Sequence, residues 1–373
     1  MAKRYETLDG IRGIAALSVA LGHIRWPSVI SHSPPFVNTS LWVDFFFVLS
    51  GFVISLNYYD KIAGGYSTLR FMAKRFARLY PLHFLTLLLS VAYEVLKYFA
   101  YLKGFPTEAP FEDNNLTAFV ANLLLIQALG FFPDGATWNG PSWSISVEFY
   151  TYVVFAIAVL AGSRRVLRPY IFGGLAILSL IILALSPNRE YLGVETDFGI
   201  FRCIAGFSIG VLVQRLIAAE RMRVSARAVE ISKYALAAFA LALVSFPTGN
   251  QPITMVAPFV FGGFILASGL TTRDDLIDRF LKHSAVQWLG AHSYSIYMIH
   301  SVIRLGFGNI YDLGASKFGL GHWWFAEGLV VAYIGLILIV SALAYRYVEL
   351  PAQALLNRVF DRYFGPAPQG RST

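Results

Sequence analysis

Long apolar runs separated by short polar segments make up most of the chain. Many of these runs approach the roughly 20 residues that a helix needs to cross a hydrocarbon core of about 30 Å. Because backbone polar groups must be satisfied inside a bilayer, such runs predict helices rather than open strands. The pattern therefore predicts an all-α fold, a polytopic membrane helix bundle. Eleven segments are candidate spans: Ile11 to Trp26, Leu41 to Tyr58, Leu82 to Tyr101, Leu116 to Phe132, Trp143 to Ala161, Tyr170 to Ser186, Ile200 to Ala218, Tyr234 to Phe246, Thr254 to Leu270, Ser293 to Phe307 and Trp324 to Tyr347.

The basic residues indicate how many of these segments cross the membrane. Cytoplasmic loops of membrane proteins carry an excess of Lys and Arg. If all eleven segments crossed, the basic segment 163–169 and the basic C-terminal tail would lie on opposite sides. Treating Leu116 to Phe132 as a re-entrant or interfacial helix places 23 of the 30 Lys and Arg residues on one side. We therefore predict ten transmembrane helices with both termini cytoplasmic, a membrane domain over 1–355, and a basic cytoplasmic tail over 356–373 that is disordered.

The composition supports a membrane protein and excludes other classes. Hydrophobic residues make up 56% and charged residues 14% of the 373 residues, with a mean hydropathy of +0.58. A soluble domain carries roughly a quarter charged residues. Membrane orientation and attraction to anionic lipid account for the net charge of +8, so we expect no nucleic-acid partner. The single cysteine, Cys203, excludes an internal disulfide and a multi-cysteine metal site, and we expect no metal.

The first candidate span carries ionisable residues that a lipid-facing helix would not. Arg12 and His23 are eleven residues apart, which places them on one helical face about 16 Å apart along the axis. Ionisable residues inside a membrane are costly and by default indicate a functional site. We therefore take Arg12, His23 and the preceding Asp9 as candidate catalytic residues. The alternative for His23 is a structural hydrogen bond to a neighbouring helix.

Two carboxylates of other spans are predicted to lie at the depth of His23. Asp44 lies about one turn inside the second span, and Glu148 lies roughly 7 Å inside a later span at 1.5 Å per residue. A carboxylate beside a histidine fixes its tautomer and stabilises the imidazolium, so that the histidine can act as a general base. Asp44 and Glu148 are therefore further candidate catalytic residues, provided that the three helices are neighbours.

A basic segment precedes the third span on the predicted inner side. Arg75 and Arg78 are three residues apart and share a helical face, with Lys74 beside them. Pro81 is predicted to mark the entry to the span. Guanidinium groups suit phosphate, so these three residues, together with Arg12, are candidates for binding an anionic cytosolic ligand. The alternative is an ordinary cytoplasmic anchor that obeys the positive-inside rule.

Aromatic and polar residues in two later segments are candidates for binding the substrate. Aromatic faces with interleaved hydrogen-bonding groups suit a sugar ring, although tryptophan is also enriched at membrane interfaces. Tyr297 and His300 share one helical face. A structural hydrogen bond between helices is the alternative for His300. The candidate substrate-binding residues are Trp138, Asn139, Ser142, Trp143, Tyr297 and His300.

Taken together, several segments resemble the acyltransferase-3 family of integral membrane proteins, which O-acylate carbohydrates. The resemblance covers nearly the whole chain, and its specificity comes from the joint order of the motifs. These are LDGIRGIAAL followed by His23, VDFFFVLSGFVIS, RFARLYP, PSWSISVEFY, LGAHSYSIYMIH and the closing YRYVELP. The resemblance implies that residues 1–355 form a membrane acyltransferase domain.

The resemblance also implies a reaction, in which an acyl group moves from cytosolic acyl-CoA, most often acetyl-CoA, to a hydroxyl at the outer side. Arg75 and Arg78 would hold the CoA phosphates, and Arg12 would help to position the donor. His23 would be essential, either deprotonating the hydroxyl or becoming acylated itself. The acceptor would be a lipopolysaccharide O-antigen, an exopolysaccharide or another glycan, in a bacterial inner membrane.

A second class of function stays open from the sequence. A proton-coupled secondary transporter would have a similar number of spans, with histidine and carboxylates as a proton relay. Such folds show paired broken helices in two related halves, and the sequence has no such pattern. In either class we expect no tightly bound cofactor.

Overall fold

The structure is a computed structural model that describes residues 4–105, 108–132, 136–162, 166–187, 189–220, 222, 224–246 and 251–364. Within these residues the regular structure is helical, and no strand occurs. The α-helices are α1 Glu6–Gly22, α2 Leu41–Ala63, α3 Thr68–Leu102, α4 Leu116–Leu123, α5 Trp143–Ala161, α6 Arg168–Ala184, α7 Gly199–Ala218, α8 Ala226–Ser245, α9 Ala257–Leu270, α10 Leu276–Leu281, α11 Ser284–Phe318, α12 Trp323–Ala344 and α13 Leu350–Phe364. Short 3₁₀-helices occur at Pro34–Phe36, Gly140–Ser142, Tyr191–Gly193 and Pro252–Val256, and a π-helix at Tyr345–Glu349 joins α12 to α13.

The predicted class, an all-α polytopic membrane bundle, is confirmed. Among the described residues, seven helical segments are long and apolar enough to cross a membrane. They are Leu41–Ala63, Thr68–Leu102, Gly140–Ala161, Gly199–Ala218, Ala226–Ser245, Pro252–Leu270 and Trp323–Phe364. Three further helices of 17 residues or more, α1, α6 and α11, pack in the same bundle. The seven segments and these three helices make ten long helical segments among the described residues, and that all ten cross the membrane stays a prediction.

The segment Leu116 to Phe132 does not form a long helix. α4 covers eight residues, about 12 Å at 1.5 Å per residue, and turns follow it. A helix of this length is too short to cross a bilayer. The side chain of Asn122 contacts Thr137 and Ser142 near the start of α5, so α4 packs against the end of the bundle. This agrees with the prediction that the segment does not span.

Two helices are longer than the sequence pattern indicated. α3 and α11 have 35 residues each, which corresponds to about 52 Å and exceeds the hydrocarbon thickness. Pro81 lies inside α3. The helix therefore begins well before Pro81, and the prediction that Pro81 marks its entry is wrong. The predicted disorder of the tail is also wrong for 356–364, which continue α13. Residues 365–373, and 163–165 of the predicted basic loop, lie outside the described residues.

The packing of α1 against α11 depends on small residues. A methyl group added to Gly13 of α1 would overlap the backbone of Leu289 and Gly290 in α11. Small residues allow membrane helices to approach this closely. The contact aligns the two helices over most of the length of α1. As a result, His23 at the end of α1 lies beside His300 in α11.

Candidate active site

Two histidines meet where α1 ends. His23 follows the last residue of α1, and its ring centroid lies 5.0 Å from that of His300. Nδ1–H of His23 donates to the Val19 carbonyl at 2.7 Å, and Nδ1–H of His300 donates to the Tyr297 carbonyl at 2.6 Å. Because a carbonyl oxygen only accepts, these bonds assign the proton of each neutral ring to Nδ1 and leave Nε2 with its lone pair. The two residues, called the histidine pair below, each offer a basic nitrogen.

A large cavity opens at the histidine pair. Its volume is about 2010 Å³, and its walls come from the ends of α1, α3 and α5 and from α11. His23 is half-buried and lines this histidine cavity, whereas His300 is buried behind it. His300 Nε2 has no hydrogen-bond partner in the described part of the chain. The three predicted substrate-binding aromatics that also line the cavity are Trp138, Trp143 and Tyr297.

Two predicted substrate-binding residues are buried within the protein instead. The Asn139 amide donates to the Met298 carbonyl at 3.0 Å. The Ser142 hydroxyl donates to Asn122 Oδ1 at 3.3 Å. Both side chains are about 1% exposed. Their contacts hold the 3₁₀-helix at the start of α5, so the structure places Asn139 and Ser142 behind the wall of the cavity.

Asp44 is not beside His23. Its two carboxylate oxygens accept hydrogen bonds from Arg202 of α7 at 3.0 and 2.8 Å, and both side chains are 0% exposed. Arg202 also donates to the carbonyls of Ser40 and Val194. No hydrogen bond joins Asp44 to His23 among the described residues. Arg202 was not among the predicted site residues, although the cost of a charge inside a span, which pointed to Arg12, applies equally to Arg202.

Glu148 also lies away from the histidine pair. It accepts a hydrogen bond from Tyr152 at 2.8 Å, and Tyr152 in turn lies 3.3 Å from the Ser50 hydroxyl. Its electrostatic neighbours are Arg75 and Arg78 rather than His23. The predicted grouping of His23 with two carboxylates is therefore not formed. Similar depth in the membrane does not determine which neighbour a side chain faces, because that depends on rotation about the helix axis.

The predicted arginines gather at the other end of α1. Arg78 forms an ion pair with Glu349, which also accepts from the Ser295 hydroxyl at 2.7 Å. The guanidinium of Arg75 lies over the Tyr58 ring, 5.2 Å from its centroid. Glu349 is the last residue of the π-helix, and π-helices are frequent at functional sites. Arg12, Arg75 and Arg78 are called the arginine cluster below.

Two members of the arginine cluster have unused hydrogen-bonding capacity. Arg12 donates to the Gly290 carbonyl at 2.9 Å and lies 3.4 Å from Asp9. Nε of Arg12 and Nε of Arg75 are buried without a hydrogen-bond partner in the part of the chain that the structure describes. Electrostatic coupling joins Arg12 to Arg78 and Glu349. The cluster can therefore accept an anion without first breaking a bond at either Nε.

Lys74 faces a different neighbour from Arg75 and Arg78. It forms an ion pair with Asp361 of α13 at 2.9 Å, as does Arg70 one turn earlier in α3. The pair connects the C-terminal helix to α3. The predicted binding of an anionic ligand by Lys74 would have to compete with Asp361, whereas Arg75 forms no ion pair among the described residues and has Glu148 only as an electrostatic neighbour.

These features define an integral membrane protein with a histidine site and an arginine site at opposite ends of one helix. The family profile described as "Acyltransferase domain", Acyl_transf_3, matches residues 5–346. The chain therefore belongs to this acyltransferase family. Membership decides between the two classes left open by the sequence, in favour of an acyltransferase.

Curated relatives agree with the family. The chain is 25% identical over 385 residues to acyltransferase MdmB of Streptomyces mycarofaciens, covering 95% of this chain and 93% of the relative. It is 37% identical over 169 residues to protein 2 in the picA locus of Rhizobium radiobacter, covering 41% of this chain and 82% of that protein. Peptidoglycan O-acetyltransferase OatA of Listeria monocytogenes is 22% identical over 97% of this chain, which spans 57% of OatA. No solved structure matches the chain at a significant level.

Proposed function

We propose that the protein transfers an acyl group, most simply acetyl, from cytosolic acyl-CoA to a carbohydrate hydroxyl presented at the outer side of a bacterial inner membrane. In this proposal both termini are cytoplasmic. The observation that carries it is the placement of two sites on α1. Arg12 of the arginine cluster and His23 of the histidine pair are separated by about 16 Å along one helix. A donor held by its phosphates at one end would extend its thioester towards the other.

The arginine cluster is the proposed site for the phosphates of acyl-CoA. The buried and unpartnered Nε atoms of Arg12 and Arg75 support this assignment, because guanidinium groups bind phosphate with charge-assisted, often bidentate hydrogen bonds. Arg78 differs from these two residues, because the buried Glu349 already balances its charge, whereas the Asp9 beside Arg12 is shared with Arg4. We therefore assign Arg75 and Arg12 to direct phosphate contact, and Arg78 to orienting the cluster.

His23 is the proposed catalytic base or nucleophile. In direct transfer, Nε2 takes the proton of the acceptor hydroxyl while its oxygen attacks the thioester carbonyl. The C–S bond then breaks, and the CoA thiolate takes the proton back from the imidazolium. In a relay, Nε2 attacks the thioester carbonyl and the C–S bond breaks, releasing the CoA thiolate. The hydroxyl oxygen then attacks the acyl-imidazole, the C–N bond breaks, and the freed Nε2 takes the hydroxyl proton and passes it to the thiolate. Both routes need the Nε2 lone pair, which the bond from Nδ1–H to the Val19 carbonyl leaves free.

The histidine cavity is the proposed site of the acceptor. Trp138, Trp143 and Tyr297 line it together with His23, and aromatic rings suit the apolar face of a sugar. One relative supports a carbohydrate acceptor, since OatA of Listeria monocytogenes is named as a peptidoglycan O-acetyltransferase. O-antigen, exopolysaccharide and other glycans all belong to this chemical class.

The test uses purified full-length protein and acetyl-CoA labelled in the acetyl group, with and without a glycan acceptor. We expect His23→Ala to bind acetyl-CoA but to release no CoA and to transfer no label. His32→Ala is the matched control, because His32 is exposed and also donates Nδ1–H to a main-chain carbonyl, at 2.7 Å. Label retained on the wild-type protein indicates the relay, and label found only on the acceptor indicates direct transfer. Equal turnover by His23→Ala would overturn the proposal.

A further inference from the structure

Two arginines stand beside the histidine pair in the histidine cavity. Arg304 follows His300 by four residues on α11, so the two share a helical face. Arg25 follows His23 by two residues. Both arginines line the cavity and are electrostatic neighbours of His23, and Arg304 is also a neighbour of His300. The site therefore has a concentrated positive charge next to its two basic nitrogens.

Neither arginine has an acidic partner within the described residues. No ion pair or hydrogen bond joins Arg25 or Arg304 to another side chain there, and Arg304 Nε is buried without a partner. The electrostatic neighbours of Arg304 are Arg25, Tyr333 and Tyr93, with no carboxylate among them. A partly buried guanidinium without an anion is unfavourable. Arg304 is such a group, and the exposed Arg25 adds a second positive charge beside it, so the cavity has a position for an anion there.

The most buried carboxylate that lines the histidine cavity, Glu94, already has partners within the protein. Glu94 accepts from the Asn114 amide at 2.8 Å and from the Phe111 N–H at 3.1 Å, and it pairs with Lys97. The half-buried Glu195 lies near Arg202. Neither of these two residues is an electrostatic neighbour of Arg304. The missing negative charge would therefore come from a ligand.

We propose that Arg304, with Arg25, forms a subsite for an anionic group of the acceptor, a carboxylate or a phosphate attached to the sugar that is acylated. The inference rests on the proposed function, because it assigns the histidine cavity to the acceptor. The donor phosphates belong to the arginine cluster, about 16 Å away along α1. Arginine binds both carboxylate and phosphate through its planar fork. The acceptor class is thus an acidic glycan, or a glycan that carries a phosphate.

The subsite also gives the acceptor a part in the chemistry. Asp44 and Glu148 are not beside His23, so the described protein residues supply no carboxylate to stabilise a His23 imidazolium. An anion held between Arg304 and His23 would supply that charge. It would also orient the sugar, so that a hydroxyl near the acidic group faces Nε2. Acceptors with a neutral group in this position would bind more weakly and react more slowly.

The test measures binding in the absence of acyl-CoA by ligand-observed NMR titration. The probes are methyl glucuronoside and its methyl ester, and glucose 1-phosphate and glucose. Each pair differs mainly in charge. We expect the anionic member of at least one pair to bind about tenfold or more tightly than its neutral partner, as a charge-assisted hydrogen bond predicts. The ratio of the two affinities, anionic over neutral, is compared between the pairs. A larger ratio for the glucuronoside pair identifies a carboxylate as the anion, and a larger ratio for the glucose pair identifies a phosphate.

The variants test which residues cause the preference. Arg304→Gln is expected to abolish the anionic preference, and Arg25→Gln, at an exposed position, to reduce it. Lys317→Gln is the control, because Lys317 lines the same cavity but lies over the Phe105 ring. No preference in the wild type, or a preference that survives Arg304→Gln and Arg25→Gln, would overturn the inference and leave the arginines as interface anchors.

Failure of this inference is distinguishable from failure of the proposed function. Probe binding needs no turnover, whereas the proposed function is tested by release of CoA and transfer of label. Label transfer without an anionic preference would leave the acyltransferase proposal standing and reject the subsite. An anionic preference without any transfer would support the subsite and reject the proposed reaction.

Discussion

His23 and His300 face each other across α1 and α11, with their ring centroids 5.0 Å apart. The Tyr333 hydroxyl of α12 lies 3.2 Å from the carbonyl oxygens of both Ala20 and His300, which ties the third helix to this pair. The pair therefore lies at a junction of three helices, where a histidine keeps its orientation. A fixed orientation is what a general base or nucleophile needs to meet its substrate in reactive geometry.

The first prediction concerns His300. We expect His300→Gln to lower kcat for acyl transfer by roughly 100-fold, within the usual range for loss of an acid–base group. Binding of acyl-CoA should change little, because the proposed donor site is the arginine cluster. Single-turnover kinetics beside a CoA binding assay measure the two effects separately. An unchanged kcat in a folded variant would assign His300 a structural role.

The second prediction separates Arg75 from Arg78. Arg75→Gln should raise the KM for acyl-CoA with little loss of thermal stability, because Arg75 forms no ion pair among the described residues. Arg78→Gln should also destabilise the protein, by about 3 kcal/mol or more, because Glu349 would be left buried without its partner.

The control for this prediction is the double variant Arg78→Gln with Glu349→Gln. It should recover much of the stability lost in Arg78→Gln, but not the affinity for acyl-CoA. Thermal unfolding in detergent and CoA binding by calorimetry measure these quantities. If all three variants unfold alike, Arg78 and Glu349 do not depend on each other in the way the structure indicates.

The sequence predicted the class of fold because the bilayer imposes strong constraints. Run length and the placement of basic residues indicated the helices, and they excluded Leu116 to Phe132 as a span. The predicted ends of individual helices were less accurate. α3 continues through Pro81, because packing against neighbouring helices overrides local propensity. α13 continues beyond 356, where Asp361 forms ion pairs with Arg70 and Lys74 of α3. The π-helix that places Glu349 has no simple signal in the pattern of apolar residues.

Single residues of the site were easier to predict than their partners. Arg12 and His23 stood out because charge inside a span is costly, and Arg75 because it shares a helical face with Arg78. The structure places Arg12 and His23 towards the two ends of α1 and Arg75 in α3. The grouping of His23 with Asp44 and Glu148 failed, because depth along a helix follows from sequence whereas rotation and neighbour choice follow from packing. Arg202 and Arg304 were missed although the same cost argument applies to both.

The third prediction concerns pH and stability. Burial raises the pKa of Glu195, which lies between α6 and α7 in the wall of the histidine cavity. A raised pKa means that ionisation costs more in the folded state than in the unfolded state. The associated stability is therefore fully present below the ordinary value of about 4.3, and it is lost as pH rises through the raised pKa.

Glu195→Gln removes this dependence, so the variant should gain thermal stability relative to the wild type at neutral pH and not at low pH. Scanning Tm of both proteins against pH measures the difference. Glu112→Gln is the control, because Glu112 is an exposed carboxylate that lines the same cavity. A stability difference that does not vary with pH would contradict the assignment to Glu195.

The last prediction decides whether Asp44 acts in catalysis or in structure. Its carboxylate is saturated by Arg202, and both side chains are fully buried, so its removal leaves a buried guanidinium without its anion. We expect Asp44→Asn to lower stability by about 3 to 5 kcal/mol, and the folded fraction to keep most of its turnover per molecule. Replacing both residues, as Asp44→Leu with Arg202→Met, should recover stability because the charged pair is then absent altogether. Activity normalised to folded protein, determined by CoA binding, measures the outcome. A folded Asp44→Asn protein that binds acyl-CoA yet transfers nothing would return Asp44 to the catalytic group that the sequence predicted.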